Sequence, residues 1–264
     1  MPLSKIQSEI LRRIAANRNP DSYLAGATII HRAERTPRFS QDIDLFHDLQ
    51  ENILRYAEQD ANTLLEAGYG FSWLQHLPFF CRAVVTSGPL QLKIEWAQDS
   101  AFRFFPLQQD DFCGYRLHDA DAATNKLLAL AGRSEVRDFV DVLHLHDHYL
   151  SLGTLAWAAC GKDPGFTPDF LLDHAGRHVA YTQQDIDRLE LREPLDIREL
   201  KRKWIGAAEE ARKLIMELPS EEAGCLYLNA AGNPVNPNTA SAEFSSLTRR
   251  QGSIRGAWPV TFTE

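Results

Sequence analysis

The hydrophobic periodicity of this chain changes near residue 118, and no other feature limits its fold as strongly. Before that point apolar and polar residues alternate in short runs. Leu90, Leu92, Ile94 and Trp96 interleave with Gln91, Lys93 and Glu95, the period-two pattern of a strand buried on one face. Further strands are expected at 43–46, 70–76 and 79–86 and within 112–118, set apart by Pro78 and by Ser87-Gly88-Pro89. Tyr23 to Thr28 reads as a strand end running into a tight turn. Helices are expected over 4–17, 29–34 and 49–67, the last ending at Gly68. From Asp119 the spacing is helical: 119–131 and 135–150 joined by Gly132-Arg133-Ser134, then 151–160, 167–174, 183–189 and 196–217. After Pro219 the chain is turn-rich, with Asn229 to Pro234 as a hairpin loop and Cys225 to Leu228 as one arm. The pattern is that of an α+β protein: a mixed α/β core over 1–118, a helical region over 119–218 and a turn-rich tail over 219–264.

Composition narrows the class. Apolar residues make up 44% of the chain and charged residues 24%, the balance of an ordinary globular protein. No apolar run is long enough to span a bilayer, and Met1-Pro2-Leu3-Ser4-Lys5 lacks an apolar signal core, so a cytoplasmic, non-membrane protein is expected. Cys81, Cys113, Cys160 and Cys225 are far apart and form no C-x-x-C, so they read as reduced, isolated thiols. A net charge of −8 argues against indiscriminate nucleic-acid binding, although Arg198 to Lys203 and Arg249 to Arg255 are locally basic.

Two acids carry the chemistry. Asp42 and Asp44 flank Ile43 on a predicted strand, so both point to one face. Like charges at the end of a buried strand repel and are costly to desolvate. A hard divalent cation relieves both penalties, which makes D-x-D half of a metal–nucleotide site. The other reading makes one Asp a helix cap and leaves the other solvated. Glu95 lies on the polar face of its own strand. It completes a three-carboxylate site if that strand adjoins Asp42 and Asp44; otherwise it pairs with Lys93 at a sheet surface. Gly26-Ala27-Thr28 is a small-residue turn whose backbone N–H groups and Thr28 hydroxyl suit phosphate oxygens, and Arg38 and Ser40 could reach the same phosphates.

The helical half offers a second cluster. Lys126 stands among Ala122, Ala123, Leu127, Leu128 and Leu130, on a helix too apolar for a free surface, and is expected to reach a polar cleft. Asp138 and Asp141 are three apart and share a helix face. With Arg133 these groups read either as part of a site or as a salt-bridge network bracing two helices. His144 and His148 are spaced to grip a metal on a helix but have no third ligand nearby in sequence; histidines also suit a solvated helix C-terminus. The five tryptophans read as core residues.

In this order the elements resemble the AbiEii/AbiGii nucleotidyltransferase toxin family, a branch of the polymerase-beta-like fold. The family's G-G-T and R-x-S-x-D-I/L-D-L-F correspond to Gly26-Ala27-Thr28 and to Arg38-Phe39-Ser40-Gln41-Asp42-Ile43-Asp44-Leu45-Phe46, with Ala27 in place of the second glycine. A later motif, D-x-x-x-x-K-L/I-x-A-L-x-x-R-x-x-x-K/R-D-F/Y-x-D-L/V, is matched from Asp121 through Lys126, Arg133, Arg137 and Asp138 to Asp141. The resemblance implies a mixed-sheet nucleotidyltransferase core followed by a helical C-terminal region. It implies a nucleotide moved from a nucleoside triphosphate to an acceptor, with RNA or tRNA favoured, by the toxin of a toxin–antitoxin pair. Asp42 and Asp44 would hold Mg²⁺ or Mn²⁺. Lys126 would neutralise triphosphate charge, and Asp141 or Asp138 would orient the site or assist the acceptor. A separately encoded antitoxin would be a partner. A protein or small-molecule acceptor, or nucleotide binding without catalysis, are the alternatives.

Overall fold

A computed structural model describes residues 3–31 and 36–257. The chain forms two compact units. The first takes the chain up to Ala101 together with Pro106–Ala122; the second takes Phe102–Phe105 and the chain from Ala123 onward.

In the first unit α1 (Lys5–Ile14) is followed by β1 (Ser22–Ala25), the short α2 (Ala27–Ile30), β2 (Asp42–His47) and α3 (Ile53–Glu66). Three long strands come next: β3 (Gly70–Leu77), β4 (Phe80–Ser87) and β5 (Leu90–Gln98). The two-residue β6 (Phe102–Arg103) belongs to the second unit, and β7 (Gln108–Asp110) and β8 (Gly114–Arg116) return to the first. Seven strands make one mixed sheet in the order β3-β4-β5-β2-β1-β8-β7. β2 is parallel to β5 and antiparallel to β1, so it lies inside the sheet with partners on both edges. Of the predicted helix over 29–34, α2 covers Ile29 and Ile30; residues 32–35 lie outside the described ones.

The local reasons are conventional. Ser4 caps α1: Gln7 N–H donates to its hydroxyl at 3.2 Å and Ser4 N–H donates back to Gln7 Oε1 at 2.9 Å. Ile6, Ile10, Leu11 and Ile14 are buried from one stripe of that helix. On β2 the buried residues are Ile43, Leu45 and His47, which leaves Asp42 and Asp44 on the half-exposed face. On β5 the buried residues are Leu92, Ile94 and Trp96, which leaves Lys93 and Glu95 on the other.

His47 sits in this core against Tyr56, ring centroids 5.3 Å apart. Burial first, and the positive charge of Arg18 second, push its pKa down to about 3; a hydrogen bond with the Asp21 backbone opposes the shift without reversing it. A base held neutral in the folded state binds fewer protons there than in the unfolded chain, so stability falls as pH drops from about 6.5 toward about 3. The slope approaches ~1.4 kcal/mol per pH unit within that window. Urea unfolding at pH 7, 6 and 5 should show this loss, and His47→Phe should flatten it; an unchanged slope in the variant would assign the acid sensitivity to other groups.

In the second unit α4 (Asp119–Arg133, from Ala123), α5 (Val136–His148), α6 (Leu152–Ala159), α7 (Pro168–Ala175), α8 (Gln183–Asp187) and α9 (Ile197–Glu217) follow one another. The predicted break at Gly132-Arg133-Ser134 comes late: α4 runs through Arg133 and the turn is made at Ser134, whose φ is +51°. The tail folds as β9 (Leu226–Leu228), β10 (Thr248–Arg250) and β11 (Ser253–Ile254). The loop after β9 does turn back, with a bridge from Leu228 to Pro234, but the strand paired with β9 is the distant β10. All four cysteines are free and buried. Trp96, Trp157 and Trp204 are buried and Trp73 is half-buried; Trp258 lies outside the described residues. No helix among the described residues is long and apolar enough to cross a membrane.

Candidate active site

Strand register assembles a charged face in the first unit. β2 and β5 run parallel with Asp42 opposite Lys93 and Asp44 opposite Glu95, and β4 places Arg82 opposite Glu95. Lys93 Nζ lies 3.1 Å from Asp42 Oδ2 and 3.2 Å from Glu95 Oε1. Arg82 Nε donates to the same Glu95 oxygen at 2.9 Å. Three acids and two bases therefore share one half-exposed patch of sheet.

Asp44 has a second, closer boundary. β1 sets Ala25 opposite Asp44, so the next residue, Gly26, meets the Asp44 side chain. Gly26 adopts φ +66° and ψ −160°, a conformation that essentially only glycine occupies. A Cβ on Gly26 would stand 1.9 Å from Asp44 Oδ2 and 2.7 Å from its Cγ. The absent side chain is what lets this carboxylate lie against the backbone.

Asp42 is held through its main chain. Its carbonyl accepts from Thr28 Oγ1 at 2.9 Å, from Ser40 Oγ at 3.1 Å and from Gln7 Nε2 at 3.4 Å. Gln7 Nε2 also donates to the Ser40 carbonyl at 2.8 Å. Thr28, Ser40 and Gln7 are all buried, so these bonds are shielded from competing water. The hydroxyls of Thr28 and Ser40, read from sequence as phosphate contacts, are directed at the entry to β2. Arg38 is buried as well and donates to the Phe39 carbonyl at 3.1 Å.

The donor set suits a hard cation. Asp42 and Asp44 present carboxylate oxygens on one face, i and i+2 on a strand, and magnesium or manganese accepts such oxygens while taking others from phosphate and water. Among the described residues no group of three or more His, Cys, Asp or Glu side chains is placed to hold a metal ion. Glu95 stands in register beside Asp44, with both of its cationic neighbours on one oxygen.

In the second unit Lys126 Nζ is 2.8 Å from Asp138 Oδ1 and 3.2 Å from Asp141 Oδ2, and all three side chains are buried. Arg133 grips Asp138 with two bonds, Nε to Oδ2 at 2.7 Å and Nη2 to Oδ1 at 3.0 Å. Burial alone would raise the Asp138 carboxyl; the charges and hydrogen bonds of Lys126 and Arg133 outweigh it and hold the group below the ordinary carboxylate range. The network binds α4 to α5 and keeps the Lys126 ammonium in one place. His144 and His148 stack on each other with centroids 4.4 Å apart.

A family model described as "Nucleotidyl transferase AbiEii toxin, Type IV TA system" matches residues 9–220. The chain belongs to the AbiEii nucleotidyltransferase toxin family. It is therefore an enzyme of nucleotidyl transfer, and membership in a type IV toxin–antitoxin family implies a nucleoside triphosphate substrate and an antitoxin partner. The chain matches none of the curated proteins with which it was compared. Among solved structures it is similar to MenT4, a nucleotidyltransferase toxin of Mycobacterium tuberculosis, with a TM-score of 0.58 at 16% identity over 82% of this chain and 83% of that one. It is also similar to JHP933 of Helicobacter pylori, with a TM-score of 0.52 at 21% identity over 81% of this chain and 95% of that one. Both likenesses are of fold.

The AbiEii match extends from α1 to the start of the tail, so it takes in both charged clusters. Sequence reading singled out Asp42, Asp44 and Gly26 as candidates but gave no site role to Gln7, Lys93 or Arg82. Gln7 had a detectable signal: a polar residue inside the apolar stripe of α1. Lys93 and Arg82 needed the strand register.

Proposed function

We propose that this chain transfers a nucleotide from a nucleoside triphosphate to an RNA acceptor, with Asp42 and Asp44 as the metal ligands, as the toxin of its pair. The observation that carries the reading is Asp44, seated against Gly26 and two residues along the strand from an Asp42 whose main chain three buried donors hold. Such a pair offers fixed anionic oxygens on a rigid strand, the placement that phosphoryl chemistry requires of its protein. Asp42 and Asp44 would hold magnesium or manganese, which would supply Lewis-acid stabilisation of the charge that develops on the leaving pyrophosphate. Gly26 supplies close approach. Thr28 and Ser40 act through the Asp42 backbone, and Arg38 adds a buried positive charge to the same segment. Glu95 neighbours the pair as a third acid. Within the second unit Asp138, Asp141 and Arg133 fix the position of the Lys126 ammonium, the cation that the family resemblance assigns to the triphosphate. RNA as acceptor follows from the family resemblance, and the cytoplasm is where such an acceptor and substrate occur together.

The test is incubation of purified protein with each labelled nucleoside triphosphate and a tRNA pool, with protein and small-molecule acceptors as parallel arms. Label should enter RNA. Asp44→Asn should lower transfer by about a hundredfold or more while the fold persists, since loss even of a residue that supports a metal ligand costs about 10–100-fold. Transfer undiminished in Asp44→Asn would overturn the metal-site assignment, and label entering only the other arms would overturn the acceptor.

A further inference from the structure

We infer that Lys93 is a resident cation of the carboxylate site, which divalent metal must displace and which makes metal binding depend on nucleotide. The inference rests on the reading of Asp42 and Asp44 as metal ligands. Lys93 Nζ bridges Asp42 and Glu95 at 3.1 and 3.2 Å, on the sheet face that carries Asp42 and Asp44. An ammonium nitrogen at hydrogen-bond distance from a carboxylate oxygen takes up the side of that oxygen that a metal would otherwise approach. Arg82 adds a second positive charge on Glu95 at 2.9 Å.

The charges on this face decide the consequence. Lys93 places one positive charge against Asp42 and Glu95, and Arg82 places a second against Glu95. A hard divalent ion binds according to how many uncompensated anionic ligands it meets. Free metal therefore meets carboxylates that are already compensated in part, and it competes with a cation already in contact. A metal–triphosphate complex differs, because its phosphates bring their own anionic oxygens. Those oxygens can take over the Lys93 ammonium as the metal takes Asp42. Lys93 is one-third exposed on its strand, so its four-carbon stem is free to swing away from Asp42 without disturbing the core. Metal alone is disfavoured and metal with nucleotide is favoured by the same side chain. The enzyme then loads its cofactor and its substrate together.

Lys93→Met removes the charge and keeps the length; Lys93→Arg keeps the charge. Mn²⁺ binding to the full chain is measured by titration calorimetry, with and without a non-hydrolysable nucleoside triphosphate analogue. Lys93→Met should bind Mn²⁺ alone about tenfold more tightly than wild type, the scale of losing one repulsive unit charge within a few ångströms at a half-exposed site. The extra Mn²⁺ affinity that the analogue confers on wild type should shrink in Lys93→Met and persist in Lys93→Arg. Mn²⁺ affinity in Lys93→Met equal to or below wild type would overturn the inference and make Lys93 a support that merely holds Asp42 and Glu95. Asp44→Asn separates the two readings. If it binds Mn²⁺ as wild type does, the metal site itself is wrong and Lys93 falls with it; if Asp44→Asn loses Mn²⁺ and Lys93→Met gains none, only the Lys93 inference fails.

Discussion

Gly26→Ala is expected to reduce nucleotide transfer by about a hundredfold or more while leaving a folded protein. The new methyl group would stand 1.9 Å from Asp44 Oδ2 and 2.7 Å from Cγ, well inside contact distance, so the carboxylate must leave its place. The backbone adds a second penalty, because Gly26 holds φ +66° with ψ −160°. A residue forced into such a region costs about 1–3 kcal/mol, and an added methyl in a tight site costs a similar amount. That is a tolerable loss for a domain of ordinary stability. It is not tolerable for chemistry, where a displacement of about 1 Å at the reacting centre can cost a hundredfold. The discriminating measurement pairs transfer activity with urea unfolding on one preparation. Activity within about threefold of wild type would show that the position of Asp44 against Gly26 does not matter to the reaction.

The largest effect on stability is expected at Asp60 on α3. Its carboxylate is fully buried and pairs with the equally buried Arg18 guanidinium. It also accepts from Asn17 Nδ2 at 2.8 Å and from Trp96 Nε1 at 2.8 Å. Burial pushes the Asp60 carboxyl up, against the opposing pull of Arg18, Asn17 and Trp96. Asp60→Ala removes one acceptor and strands two buried donors, the charged Arg18 and Trp96, while the half-buried Asn17 keeps Thr63 Oγ1 as an acceptor. Breaking a buried pair in this way costs about 3–5 kcal/mol. Urea unfolding followed by tryptophan fluorescence should show a midpoint shift of that size. The double variant Arg18→Met, Asp60→Leu should recover a large part of it, because an apolar pair leaves no buried charge alone. A loss below about 1 kcal/mol in Asp60→Ala would show that water reaches Arg18 in the variant. Trp96 lies on β5, the strand that carries Lys93 and Glu95 on its opposite face. The same network thus fastens α3 to the strand bearing the resident cation.

Residue by residue, legibility followed the range of the interaction. The alternation of Leu90 to Trp96 announced β5 and assigned Lys93 and Glu95 to its polar face. The apolar stripe of Ile6, Ile10, Leu11 and Ile14 announced α1. In both cases burial on one side imposes a period that any local window reveals. The tail shows the limit. Asn229 to Pro234 does turn, as its composition demands, yet β9 takes its partner some twenty residues further on at Thr248–Arg250. Turn chemistry is local and strand pairing is not. Thr28 and Ser40 show another limit: a hydroxyl bonds whatever acceptor the fold brings near, and here that is the Asp42 carbonyl.

By itself, the sequence determined the element types, the shared face of Asp42 and Asp44, the apolar setting of Lys126 and, through its motifs, membership in the AbiEii family. Each depends on residues within a few positions of one another, where side-chain period and covalent geometry decide the outcome. Only the tertiary structure decided that β5 rather than β3 or β4 lies beside β2, that Glu95 falls opposite Asp44, that Gly26 closes on Asp44, and that Lys93 lies between Asp42 and Glu95. Those facts depend on strand order and register. A one-residue slip of register would turn the whole face over, and it is the burial of Ile43, Leu45, Ile94 and Trp96 together that forbids the slip.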